Sequence, residues 1–294
     1  MPENPTESTP SVSIVVPTYN RPDALIRALD SLREQDYGAC EIVVVDQSES
    51  PADDVHAYVR AHRIHYHRLD RPNRCRAKSF GVRNASGEIV LVCDDDIVAP
   101  PNLVSTHVRH FRDPRIGAVS CRVYEEGQAT THTKRVLCIA PYGRLYSNCH
   151  SLTSQTVQFL AGPNMSFRRA LFERVGTFDE RFVGSGIMEE PDIAIRIRRL
   201  GYRIYFDASV TVLHYPQRNG NLALREQGRT GWYRDFFHNF VFFQRKYGRA
   251  WFALTSLPYH VLLAARQVVL HRLGLRDFLT MMGGYASGFR TPLD

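Results

Sequence analysis

Apolar runs that stop abruptly at polar loops set the rhythm of this chain. "VSIVV" (12–16), "EIVVV" (41–45) and "IVLVC" (89–93) are apolar at nearly every position and rich in β-branched residues. A strand with one face in water alternates, whereas a strand covered on both faces does not. These runs therefore predict buried strands of a mostly parallel sheet. Between them the period changes. Pro22 suits a first helical turn, and Leu25, Leu29 and Leu32 follow at helical spacing. A helical segment is predicted around Val55 to His62, and an alternating third strand at "IHYHRL" (64–69). Helix and turn follow in "AKSFGVRNASGE", and another strand at "GAVSCRV" (117–123). This β-α-β-α order implies right-handed crossovers. Loops at the carboxyl ends of such strands gather on one edge as a ligand crevice, and "PTYNRP", "DQSES" and "DDDIVAP" are all loops of that kind.

Residues 124–158 are less regular, and a flap over a second substrate is favoured there over a plain surface excursion. Order returns from Gln158. Ile193, Ile197 and Leu200 mark a helix face, with Pro191 in its first turn and Gly201 at its end. Trp232, Phe236 and Phe240 recur at helical spacing and read as core or interdomain packing. Leu257, Val261, Ala264 and Val268 do the same in the tail.

A length of 294 residues fits one large α/β domain or two smaller ones. Six cysteines without a CxxC pair read as reduced, mostly buried thiols and point to the cytoplasm. The first eleven residues lack the basic and apolar regions of a signal peptide. The most apolar stretch, "LPYHVLLAARQVVLHRLGL", is interrupted by His260, Arg266, His271 and Arg272, which argues against a membrane span. Net charge is +7, and residues 245–294 alone carry seven Lys/Arg against two Asp/Glu. Basic residues interleaved with apolar ones suggest an anionic membrane surface as partner, with Arg266, Arg272 and Arg276 toward the head groups. No recognition motif supports nucleic acid as a partner.

The chemistry is concentrated in acidic clusters. Asp94, Asp95 and Asp96 end an apolar strand, and three adjacent carboxylates repel unless protonated or bridged by a cation. Oxygen ligands suit Mg2+ or Mn2+, and His214, which also ends an apolar run, tilts the preference toward Mn2+. Arg74, Arg76 and Lys78 lie upstream and could meet phosphate, so the inferred ligand is a metal-bound diphosphate. A second group, "MEEPD" (188–192), opens a helix. Glu189, Glu190 or Asp192 could act as a general base there, or all three could merely complement the helix dipole.

"VSIVVPTYNRPDAL", "EIVVVDQSES", "RAKSFGVRNASGEIVLVCDDD", "AGPNMSFRR" and "EEPDIAIRIRRLGYRIYFDASVTVLH" occur in the order found in family-2 glycosyltransferases. Over residues 11–215 the chain resembles that family. The resemblance implies an α/β GT-A fold, with a mostly parallel, Rossmann-like sheet, helices on both faces and a helical C-terminal extension. It implies a catalytic domain over 1–220, with a nucleotide-binding half (11–123) and an acceptor-binding half (124–215). A helical, basic extension over 221–294 would follow. Pro17, Tyr19, Asn20, Arg21 and Asp46 would bind the nucleoside, with Gln47 where relatives often have a second Asp. Lys78 would contact the diphosphate in a place usually held by Arg. Asp94 and Asp95 would contact the nucleotide sugar. Asp96, Asp94 and His214 would hold the metal. Glu190 would be the base, in a place usually held by Asp, with Glu189 and Asp192 as alternatives. Gly162, Pro163 and Asn164 would face the acceptor.

The implied activity is inverting transfer of one hexose per encounter from a nucleoside-diphosphate sugar to an acceptor hydroxyl. The acceptor would be a glycan or lipid-linked, and the setting the inner face of the cytoplasmic membrane. Neither the QxxRW-like motif nor the membrane spans of processive members occur. A haloacid-dehalogenase-type phosphatase and a non-catalytic carbohydrate-binding protein are the alternatives. Arg218, Arg225 and Arg229 read as a solvated face rather than a loop closing on the diphosphate.

Overall fold

The computed structural model describes residues 9–140, 145–216, 222–248 and 250–293. Its first half alternates as expected: β1 (Val12–Thr18), α1 (Pro22–Arg33), β2 (Cys40–Asp46), α2 (Asp53–Ala61), β3 (His65–Arg68), α3 (Arg74–Asn84), β4 (Ile89–Cys93), β5 (Ile97–Val98), α4 (Leu103–His110) and β6 (Ile116–Tyr124). There follow β7 (Cys138–Ile139), β8 (Leu145–Tyr146), β9 (Gln155–Val157), β10 (Asn164–Arg168), α5 (Leu171–Val175), α6 (Glu189–Arg199) and β11 (Arg203–His214). The last helices are α7 (Leu222–Tyr247), α8 (Ala250–His271) and α9 (Leu275–Arg290), with α7 broken at Gly228, where φ is 65°.

The main sheet has the order β3-β2-β1-β4-β10-β6-β11-β5, with β9 added on β11. Neighbouring pairs among β3, β2, β1 and β4 are parallel, as are β6 and β11; β10, β5 and β9 run against them. Both faces of the central strands β1 and β4 are covered, which is why these two are buried at every position. Ile14, Val16, Val44, Leu91 and Cys93 point into one core with Leu25, Leu29, Val55 and Val104 of the helices. Val15, Val43, Val45, Val90 and Val92 point into the other, with Val82, Ile193, Ile197 and Phe240. A strand's two-residue period thus feeds two cores.

Packing is closest where α3 crosses the sheet. A Cβ on Gly81 would lie 2.2 Å from Val15 Cγ1, so glycine lets α3 sit against β1. Asn73 caps α3, accepting a bond from the Arg76 amide at 2.9 Å. That fixes the helix start, with Arg74, beside the carboxyl end of β4.

The irregular region after β6 is anchored at its base. Val136 and Leu137 are buried in the main core, and the Leu137 carbonyl accepts from the Gln158 and Phe159 amides. Residues 141–144 of the predicted flap lie outside the described residues, as do Arg218 and the side chain of Arg225. Trp232 stacks on Phe236 at 5.5 Å, Phe236 packs on Phe240, and Phe240 enters the main core. No helix among the described residues is long and apolar enough to cross a membrane.

Candidate active site

The turn after β4 is held on two sides. The Asp94 amide donates to the Pro163 carbonyl at 3.2 Å, and the Tyr215 amide donates to the Asp96 carbonyl at 2.8 Å. This joins "DDD" to the "AGPN" loop and to the end of β11. Ligand atoms of Asp94, Asp96 and His214 all lie within 4.8 Å of one another. Two carboxylates and an imidazole at that spacing fit a divalent cation such as Mn2+ or Mg2+.

The charges around this cluster balance it. Arg21 contacts both Asp95 and Asp96, the latter at 2.6 Å, and Thr18 Oγ1 donates to Asp95 at 2.6 Å. Arg74 reaches both oxygens of Asp94, at 2.8 and 3.0 Å. Burial would raise the Asp94 pKa, but Arg74, with Lys78, His214 and Arg21, holds it down at about 2. Burial would lower that of His214, yet its bond to Asp96 and the charges of Asp96 and Asp94 raise it to about 9. Burial raises Asp95 to about 7, against the pull of Arg21 and with the push of Asp96.

One residue of this cluster was not anticipated from sequence. Glu125, just past the end of β6, lies 2.9 Å from His214 Nδ1, while Nε2 lies 3.2 Å from Asp96. The signal was present, since Glu125 follows a buried strand as the aspartates do. It was obscured because Glu125 begins the irregular region.

The acidic group at α6 divides three ways. Glu189 is buried, with Lys78 Nζ at 2.5 Å, Arg74 Nε at 3.3 Å and the Cys75 thiol at 2.8 Å. Asp192 is fully buried and meets Arg196, Lys246 and the Tyr247 hydroxyl, the last at 2.6 Å. It joins α6 to α7, and its geometry is that of a strut. Glu190 alone is partly exposed. Its Oε1 would lie 2.7 Å from a Cβ on Gly162, and that same Cβ would lie 3.4 Å from Arg74. Burial and the charge of Glu189 raise the Glu190 pKa to about 7, against the pull of Lys78 and Arg74. Met188, just before α6, is buried at φ 84°, a costly left-handed backbone for a side-chain-bearing residue.

Several expected contacts sit differently. Lys78 is fully buried and faces Glu189, so its ammonium does not open to the crevice; Arg74 is the α3 cation at Asp94. Asn164 is also fully buried, accepting from the Cys121 amide at 2.5 Å, and ties β10 to β6 rather than facing an acceptor. Gly162 and Pro163 are partly exposed, while Pro17 is buried within β1. Asp46 accepts from the Ser48 amide at 2.7 Å and from the Tyr66 hydroxyl at 2.6 Å. Gln47 donates to the carbonyls of Arg71 and Asn73, bracing the approach to α3. Asn20, at φ 52°, bonds Ser48 and Glu49, and Tyr19 bonds Glu49, which stitches the first two loops together. A cleft lined by Thr18, Arg21, Asp46, Ser48 and Val55 lies between them.

A family model described as Glycosyl transferase family 2 matches residues 13–176. An N-acetylglucosaminyltransferase of Rhizobium leguminosarum bv. viciae is 28% identical over 250 residues, 80% of this chain and 57% of that protein. The O-antigen biosynthesis protein RfbC of Myxococcus xanthus is 28% identical over 228 residues, 72% of this chain and 18% of that protein. The chain thus spans little more than half of the first relative and under a fifth of the second. Among solved structures, the mannosyltransferase PcManGT from Pyrobaculum calidifontis, in complex with GDP-Man and Mn2+, aligns with a TM-score of 0.56 at 19% identity. That alignment covers 98% of this chain and 91% of that one. GalNAc-T7 with UDP, GalNAc and Mn2+ aligns with a TM-score of 0.61 at 15% identity, over 82% of this chain and 51% of that one. At these identities the structures establish the GT-A fold alone.

Proposed function

The chain belongs to glycosyl transferase family 2, and from that premise we propose that it moves a hexose from a nucleoside-diphosphate sugar to an acceptor hydroxyl with inversion, one sugar per encounter. That it is a glycosyltransferase follows from the family. The phosphatase alternative falls with it, because the family match includes the aspartates and they follow the fourth strand, not the first.

One observation carries the residue roles. Gly162 stands between Glu190 and Arg74, and Arg74 touches Asp94. Arg74 therefore lies between a partly exposed carboxylate and the acidic cluster. Glu190 takes the proton from the acceptor hydroxyl, which attacks the anomeric carbon opposite the leaving diphosphate. A pKa near 7 suits that task, since the base is then stronger than an ordinary carboxylate and about half of it is ionised at neutral pH. Arg74 and Arg21 place positive charge where the diphosphate departs. Asp46, beside Tyr66, and the Tyr19–Arg21 loop hold the nucleoside. When bound by Asp96, Asp94 and His214, a divalent cation supplies Lewis-acid stabilisation of the leaving diphosphate. Glu125 orients His214 for that ligation.

The same reading divides the chain near residue 220 into a catalytic body and a helical extension. It places the acceptor among cell-envelope glycans or their lipid-linked precursors, as the kinship with an O-antigen biosynthesis protein supports.

The test is thermal stabilisation by UDP-, GDP- and dTDP-sugars, with and without Mn2+, on the native chain and Glu190→Gln. Metal-dependent stabilisation by one base series in both proteins, with transfer lost only in Glu190→Gln, is the expected result. Stabilisation by none, or unchanged turnover in Glu190→Gln, overturns the assignment.

A further inference from the structure

Helix α9 packs one of its sides closely on α7. On α9, a Cβ at Gly284 would fall 1.9 Å from the Arg234 carbonyl oxygen, and one at Gly288 would fall 2.5 Å from that of His238. These two glycines, one turn apart, let α9 lie backbone-close against α7. Met281 and Tyr285 on that side join Phe237, Val241 and Ala264 in a small core.

Among the described residues, the α8–α9 hairpin also exposes large apolar side chains. Leu262, Val269 and Leu275 are 70%, 77% and 73% exposed, and Leu270 and Leu279 are more than half exposed. Leu262, Val269 and Leu270 share a helical face of α8, at spacings of seven and eight. Leu275 and Leu279, one turn apart at the start of α9, are exposed as well. Exposed apolar residues occurring singly are ordinary, but four leucines and a valine on two successive helices are not.

Charge decides what fits this patch. Arg266, Arg272 and Arg276 are exposed among the leucines. Between residues 250 and 293 the sole acidic residue is Asp277, whose carboxylate accepts from the Gly274 amide at 3.0 Å and the Thr230 hydroxyl at 2.8 Å. A second copy of the chain would set arginines against arginines. A surface with dense negative charge above an apolar layer complements both features at once, and an anionic bilayer has that composition. No helix among the described residues is long and apolar enough to span it.

We propose that the α8–α9 hairpin docks on the face of an anionic membrane, with Leu262, Val269, Leu270, Leu275 and Leu279 in the interface and the three arginines against lipid phosphates. The proposal deepens the proposed function by placing the catalytic body at a membrane surface, where a lipid-linked acceptor resides.

Vesicle co-sedimentation tests it without any turnover. The full chain is mixed with vesicles of phosphatidylcholine alone or phosphatidylcholine with phosphatidylglycerol. The native chain and Glu190→Gln should both bind the anionic vesicles and lose them as salt rises. Arg272→Gln/Arg276→Gln should bind at least about tenfold more weakly. Val269→Asp should also lose binding, with its melting temperature unchanged. Absence of native binding, or equal binding to neutral vesicles, overturns the proposal. So does a dimer, seen by light scattering without lipid, that Val269→Asp dissolves, because the patch then serves a second copy. None of these outcomes depends on the transferase assignment, which the nucleotide-sugar panel tests separately.

Discussion

Gly162→Ala puts one methyl group against the proposed base. Its carbon would lie 2.7 Å from Glu190 Oε1 and 3.4 Å from an Arg74 nitrogen. A relaxed carbon–oxygen contact is about 3.3–3.6 Å. The carboxylate must therefore retreat by roughly 0.6 to 0.9 Å, since it is the free end of a side chain and the methyl is fixed to backbone. Displacement on the order of 1 Å in a catalytic group costs up to about a hundredfold. The expected loss in kcat is about 10- to 100-fold, or ~1.4–2.7 kcal/mol in the barrier. Folding stability should change by about 1 kcal/mol or less, because the clash is relieved by a side-chain rotation rather than in the core. Donor affinity should hold, since Asp46 and the acidic cluster are untouched. The assay is release of nucleoside diphosphate under saturating donor, with donor Kd and the denaturant midpoint measured alongside. A native kcat in Gly162→Ala, with the fold intact, would refute Glu190 as the base.

The pH profile offers a second check. Glu190 must be ionised to accept a proton, and its pKa is raised to about 7, so kcat/KM should fall as pH drops through 7. A carboxylate in its ordinary range would hold activity down to about pH 5, and such a profile would exclude Glu190. Asp192→Asn removes the anion that Arg196 and Lys246 share, leaving Lys246 with Asp179 alone. Breaking such a pair costs ~3–5 kcal/mol, so the urea midpoint should fall sharply. Abolished turnover at native stability would instead make Asp192 the base. Glu125→Gln should weaken Mn2+ binding about 10- to 100-fold by electron paramagnetic resonance titration. The effect should vanish in a His214→Ala background; persistence there would show that Glu125 acts without His214.

Much of this site could be read along the chain, for local reasons. An apolar, β-branched run needs cover on both faces, and its charges have to leave at the ends. Hence Asp46, Asp94 and Asp96 could be placed at one sheet edge from residue order and the acidic cluster read as a candidate cation site, with His214 added through the family resemblance. Other features had no local signature. Glu189, Glu190 and Asp192 occupy one helical turn and look interchangeable. What separates them is contributed from far away: Lys78 and Arg74 on α3 engage Glu189, while Lys246 and Tyr247 on α7 engage Asp192. The same long-range packing buried Lys78, turned Asn164 into a sheet tie and brought Glu125 to His214. Residue type and spacing along a strand or helix follow from short-range geometry, which the order of residues carries. Which of several like charges is paired, buried or left free depends on contacts between segments distant in sequence, and those exist only once the chain has closed on itself.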